Sequence, residues 1–279
     1  FLGAVMAGRS RNIISAGIAA LMIKAAGGCG SSNKEIPSSA DNSRYVSETK
    51  DNGNVTDGKE YDIDNGGLPY DEETVYNQLF DINNKVEIDV DISDDELAKM
   101  QSDYNRYDNM GSKSPIYRKC DLKISITSDG VKNTYIIRNT GIRMKGNTSR
   151  TAFYDSNSGV YSLIHFKVDF TETFDDEQYY GGDSDYDLDI DKEKQQNRTF
   201  ATLDSMEIKW NQTSDSTYVR EYYTCEMYRD FGILAQRTNL ASINLGDVHE
   251  GIFKIYEPVH KKFIKRYVAK EDCGGDLYK

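Results

Sequence analysis

Residues equipped for chemistry gather at three places along this chain. The first is Gly146-Asn147-Thr148-Ser149-Arg150, which follows an apolar strand pattern ending at Lys145. Small residues let a backbone approach a phosphate closely, and Arg150 offers a countercharge. Neither Gly-x-x-x-x-Gly-Lys-Ser/Thr nor Gly-x-Gly-x-x-Gly is present, and a segment of this kind standing alone is more often a plain loop. The second place is a helical pattern in which Tyr218, Glu221, Cys225 and Tyr228 share one side. A carboxylate among such neighbours needs a cation. The strand lysines Lys145 and Lys167 are the candidates, and Arg220 or Lys209 would serve if Glu221 stays at the surface. The third is the acidic run Phe174–Lys194, with Asp183, Asp185, Asp187, Asp189 and Asp191 at alternate positions. A calcium loop needs glycine where Leu188 stands and a closing glutamate at an offset that Glu193 does not occupy, so a solvated insertion is expected.

Other chemistries find no support. His165, His249 and His260 lack metal spacing, and neither Gly-x-Ser-x-Gly nor His-Glu-x-x-His occurs. The four cysteines include no Cys-x-x-Cys pair, which leaves a zinc site without its usual ligands. Cys120 and Cys225 lie in apolar periodic segments and read as core thiols. A net charge of -12 argues against nucleic acid as a partner. The 20 tyrosines read mostly as half-buried strand and helix residues, with a glycan-stacking surface as the alternative.

The positioning elements follow from periodicity. Val86, Ile88, Val90 and Ile92 alternate with acids, and Ser93-Asp94-Asp95-Glu96 then begins a short helix to about Gln101. Arg118–Thr127 and Val131–Arg138 flank a Ser128-Asp129-Gly130 turn, and Ile142 and Met144 continue the second strand. Further strands are expected at Tyr161–Phe170, Phe200–Trp210, Thr238–Leu245 and Gly251–Tyr256. One strong helix is expected over Tyr218–Phe231, with Gly232 as its C-cap. These elements give an α+β class: a mostly antiparallel sheet with one long helix packed on it.

Three domains are expected. Arg9 and Arg11, the apolar run Ile13–Ile23 and Ala26-Gly27-Gly28-Cys29 read as a lipoprotein-type signal over 1–29, with lipid attachment at Cys29. That run is too short to span a bilayer, which takes about 20 apolar residues. Residues 30–80 are rich in Ser, Asn, Asp and Gly and read as a disordered polar tether. The folded domain is then 81–279. The expected location is secreted and membrane-anchored at the cell surface.

Four ordered segments resemble the spore coat protein H (CotH) family of atypical secreted kinases, over roughly Val86 to the end. Gly141–Ser149 (GIRMKGNTS) is similar to the family's Gly-x-Arg-x-Lys-Gly-Asn-Ser-Ser. Leu163–Phe170 resembles its lysine-bearing strand, and Arg220-Glu221 through Phe231-Gly232 resembles its Arg-Glu helix. Gly251–Glu257, Phe263–Arg266 and Gly275–Lys279 resemble its Gly-x-Tyr-x-x-x-Glu stretch, flanking helix and Gly-Asn-Leu-Tyr-Lys. The resemblance implies a kinase-like fold that binds ATP with Mg2+ or Mn2+ and phosphorylates serines of secreted or coat proteins. It places Lys145 or Lys167 on the phosphates with Asn147, Ser149 and Arg150 nearby, Glu221 in an ion pair, and Glu257 at a hinge beside adenine. It also places the catalytic and metal-binding aspartates in a second lobe beyond Lys279, so the chain is expected to be an inactive fragment of a protein kinase. The alternative function is a surface-anchored scaffold, a spore coat structural protein or a glycan-adhesion module that keeps the fold without the chemistry.

Overall fold

A computed structural model of the protein describes residues 55–63, 70–146, 151–155, 160–210, 215–246 and 250–274. Among them, strand alternation builds most of a single sheet. Its members are β1 (Thr56–Asp62), β2 (Lys85–Asp91), β3 (Arg118–Ser128) and β4 (Val131–Lys145). A small hairpin, β5 (Tyr154–Asp155) and β6 (Val160–Tyr161), stands apart from it. The sheet then continues with β7 (His165–Asp169), β8 (Ser205–Trp210), β9 (Thr238–Leu245) and β10 (Glu250–Tyr256).

The eight strands run in the order β1-β4-β3-β2-β9-β10-β8-β7, and β7 pairs back onto β4. Seven of them therefore close into a ring, with β1 added outside it. Strand β4 is long enough to serve two neighbours in turn. Val131 to Ile136 pair with β1, and Gly141 to Lys145 pair with β7. The sheet is mostly antiparallel, as expected, and becomes mixed through the two parallel pairings β1–β4 and β2–β9. Ile88, Ile124, Ile137, Phe166, Ile208, Ile243 and Phe253 come from successive strands and are 0% exposed. Side chains of that size contribute roughly 2–3 kcal/mol each when fully buried. Gly141 marks the closure, since a Cβ there would lie 2.9 Å from Glu172 Cβ and 3.0 Å from Tyr117 Cβ.

Among the described residues, six α-helices decorate the ring: α1 (Glu72–Leu79), α2 (Asp94–Asp108), α3 (Glu177–Tyr180), α4 (Lys192–Gln196), α5 (Arg220–Asp230) and α6 (Lys261–Tyr267). The expected single long helix is corrected here. The longest is α2, with 15 residues, against 11 for α5, and α5 buries none of its side chains. Ser93 caps α2 as its sequence indicates, but the helix runs beyond Gln101 through polar residues. Gly232 does end α5, at φ 71°, with its N–H donating to the Arg229 carbonyl at 2.8 Å.

Two stretches expected to be solvated are folded. Within the polar tether read over 30–80, Thr56–Asp62 forms β1 and Glu72–Leu79 forms α1, which buries Val75, Tyr76 and Leu79. Strand β1 has few apolar residues and takes its structure from backbone pairing to β4, which composition does not reveal. The acidic run is likewise structured. Asp176, Asp183 and Asp191 each cap a short helical turn by accepting from a backbone N–H two or three residues on. Phe174, Tyr180 and Tyr186 pack with Ile116 in a second apolar cluster.

Asp204, just before β8, ties the sheet to α6. His260 Nδ1 accepts from the Lys262 N–H at 3.1 Å, which leaves Nε2 to donate to Asp204 at 2.9 Å. Burial opposes ionisation of Asp204, but His260 and Lys262 outweigh it and hold the carboxyl down to about 2. A depressed carboxyl stabilises the fold above its unfolded value and loses that contribution as pH falls through the folded one. Urea unfolding should therefore lose about 2 kcal/mol from this group between pH 5 and pH 2. The Asp204→Asn variant should lack that component; an unchanged acid limb would refute the assignment.

Candidate functional site

Strand parity that fills the ring also sorts charge onto its outer surface. Met144, Phe166, Val168, Met206, Ile208, Phe253 and Ile255 are buried, and their sequence neighbours point the other way. Cross-strand register then sets Lys145 opposite His165, Lys167 opposite Glu207, Glu207 opposite Tyr256, and Lys209 opposite Lys254. Like charges directly opposite each other on a sheet are destabilising, so the Lys209–Lys254 pair needs compensation.

That compensation comes from α5 and the turn before it. Lys254 is 6% exposed, and its ammonium donates to Glu221 at 2.8 Å and to Asp215 at 3.3 Å. Tyr256 is buried, and its hydroxyl donates to the same Glu221 oxygen as Lys254 does. Lys209 stands over the Tyr256 ring, 4.0 Å from its centroid, with Glu207 at 3.7 Å. Burial opposes ionisation of Glu221, but Lys254, Tyr256 and Lys209 together keep its carboxyl below the usual range. Asp215 is held low first by Thr217 and then by Lys254. Thr217 donates to Asp215 from its hydroxyl at 2.7 Å and its N–H at 3.2 Å, in a turn where Tyr218 sits at φ 64°. The result is a face on which Lys209 of β8 and Lys254 of β10 lie side by side, with Lys254 held from the helix side by Asp215 and Glu221.

The expected partner of Glu221 is therefore corrected. It pairs with Lys254, and neither Lys145 nor Lys167 reaches it. Lys145 pairs with Glu207, and Lys167 pairs with Asp169 at 2.9 Å, with Tyr117 beside it. Burial works against the Lys167 ammonium, yet Tyr117 and Asp169 raise it above its ordinary value. Glu257 is 1% exposed and accepts from Arg266 at 3.1 Å and Tyr267 at 3.1 Å. Its carboxylate is an internal anchor for α6. Asn147, Ser149, Arg150 and Cys29 lie outside the described residues. Cys120 is a core thiol, whereas Cys225 is only half-buried on α5.

Residues 142–279 match the CotH kinase protein family. This chain carries a CotH kinase family domain. The match begins at Ile142, short of the Val86 start that the sequence resemblance implied. Strands β7 to β10 belong to the CotH kinase domain, and the preceding β2, β3 and most of β4 close its sheet into a ring. No curated protein matches the chain. Membership in a kinase family implies use of ATP in general.

A divalent ion finds no ready donor set here. Among the described residues, the one group of three close carboxylates is Asp95, Glu96 and Asp185. The Lys99 ammonium already occupies it, at 2.8 Å from Asp95, 3.1 Å from Glu96, 3.0 Å from Asp183 and 3.1 Å from Asp185. An internal cation does there what a metal would do, so these residues do not fit a metal ion. Also among the described residues, no helix is long and apolar enough to cross a membrane.

The sequence reading missed Lys254, Asp215 and Tyr256, and noted Lys209 only as a surface partner. One signal was available. Met206-Glu207-Ile208-Lys209 ends the strand before the Arg-Glu helix, the place where protein kinases carry the lysine that pairs with a helix glutamate.

Proposed function

We propose that the CotH kinase domain binds ATP on the outer face built by β4, β7, β8 and β10, and that the protein phosphorylates serines of secreted or coat proteins. The observation that carries this reading is the convergence of Lys145, Lys209 and Lys254 with the helix carboxylate Glu221. In this proposal Lys209 contacts the phosphates. It is about a third exposed, and its ammonium has one carboxylate at the long distance of 3.7 Å. Lys254, buried and held by two carboxylates, sets the position of α5 instead. The sequence after Gly146 adds small residues and Arg150 suited to phosphate, in a segment that lies outside the described residues. Among the described residues none forms a site for Mg2+ or Mn2+. Cys29 as a lipid anchor, and with it a cell-surface location, is part of the same proposal and rests on the sequence of residues 1–29.

Calorimetric titration of the chain with ATP, free and as its Mg2+ or Mn2+ complex, tests the reading. Lys209→Met should weaken ATP binding at least roughly 10-fold, the usual worth of a lost charge-assisted hydrogen bond. Lys167→Met, which removes a lysine engaged by Asp169, should leave affinity within about 2-fold. A folded protein that takes no ATP would favour the second reading, a surface-anchored scaffold without catalysis.

A further inference from the structure

One imidazole on this face has no partner. His165 is 9% exposed, and its Nδ1 is buried without any hydrogen bond. It lies opposite Lys145 in the β4–β7 register, on the row of outward residues rather than inside the ring. The charges facing it come from every neighbouring element: Lys145 on β4, Glu207 and Lys209 on β8, Lys254 on β10 and Glu221 on α5. A buried polar nitrogen left unsatisfied is costly, and such groups in folded proteins call for an explanation. Here the surroundings identify the missing partner by charge. Glu207 and Glu221 are already engaged by Lys145 and Lys254, so an acceptor for Nδ1–H must come from outside, and the three lysines favour an anionic one.

We infer that His165 is a nucleotide-contacting residue, hydrogen-bonding a phosphate oxygen of ATP and taking up one proton from solvent as it does so. The inference rests on the nucleotide reading above and adds a residue and a proton to it. In the free protein, burial and then Lys209 lower the basicity of His165, Lys145 and Lys254 add to that, and Glu221 opposes it. The ring is therefore neutral near pH 7. A polyphosphate among the lysines reverses the local field and favours the imidazolium. The side chains of Lys145 and Lys209 are 32% and 31% exposed, so both ammonium groups are able to re-aim toward an entering anion. Linkage then fixes the sign. ATP affinity rises as pH falls between the free and bound titration midpoints of His165, by up to 10-fold per pH unit.

The chain has three histidines, which makes proton NMR a direct test. The His165 C2–H resonance, assigned by its absence in His165→Asn, should titrate at a midpoint at least about one unit higher with saturating ATP. ATP calorimetry in two buffers of different ionisation enthalpy should show greater proton uptake by the wild type than by His165→Asn or His165→Gln, which cancels protons carried by ATP itself. ATP that saturates the protein without moving the His165 midpoint, or with equal proton counts in all three proteins, overturns this inference and leaves the nucleotide site standing. A folded protein that binds no ATP overturns both.

Discussion

Replacing Arg118 by methionine is expected to lower the unfolding free energy by roughly 3–5 kcal/mol, the cost of breaking a buried ion pair from one side. Arg118 on β3 is 8% exposed and Asp103 on α2 is 7% exposed. The guanidinium grips that carboxylate with two hydrogen bonds, Nε at 2.7 Å and Nη2 at 2.9 Å, and donates from Nη1 to the Tyr186 hydroxyl at 3.2 Å. Tyr186 in turn donates to the buried Glu96, which also accepts the Lys119 N–H at 3.2 Å. Removing Arg118 thus strands one buried carboxylate and loosens α2 and the acidic insertion together. For a domain of this size the thermal midpoint should fall by roughly 10 °C. The double variant Arg118→Met with Asp103→Leu should recover much of the loss, because no charge is then left unpaired. A single-variant loss below about 1 kcal/mol would mean that water reaches the pair.

Lys254→Met should damage both stability and nucleotide binding. Asp215 is buried and would lose its nearer cation, with Arg220 remaining at 3.9 Å, and Glu221 would lose the contact that draws α5 onto the sheet. Glu221 keeps half of its side chain in solvent, so most of the penalty falls on Asp215, and about 3 kcal/mol is expected. Helix α5 buries none of its own side chains, so its placement depends on such polar links. ATP affinity should drop at least roughly 10-fold with it, since Glu221 and Lys209 share the Tyr256 platform. Chemical unfolding and calorimetry on the same preparation separate the two effects. Lys209→Met should lose binding with little loss of stability, whereas Lys254→Met should lose both. If Lys254→Met unfolds like the wild type, its role as the anchor of α5 is wrong.

The same two lysines show why the sequence reading chose other partners. Lys145, Lys167, Lys209 and Lys254 all fall on the outward parity of their strands, and nothing local distinguishes them. Which one meets Glu221 depends on strand order, and β10 lies beside β8 only because the hairpin with β9 inserts between β2 and β8. Glu257 is a similar case. Its position after a strand was legible, but its burial follows from α6 folding back so that Arg266 and Tyr267 reach it.

Much of the framework was legible because its causes are local. The alternations in β2, β3, β4, β9 and β10, the Ser93 cap, the Gly232 helix end and the family segment at Gly141 each depend on residues a few positions apart. Sequence alone thereby determined an α+β chain with a CotH kinase family domain. Tertiary structure decided the rest. It closed the sheet by pairing β4 with β7, and recruited Thr56–Asp62 as a strand by backbone hydrogen bonds that no side-chain pattern announces. The acidic run became helix caps and a clamp on Lys99. Lys254 became the partner of Glu221 because charge pairing is settled by distance in space, and strand order sets that distance.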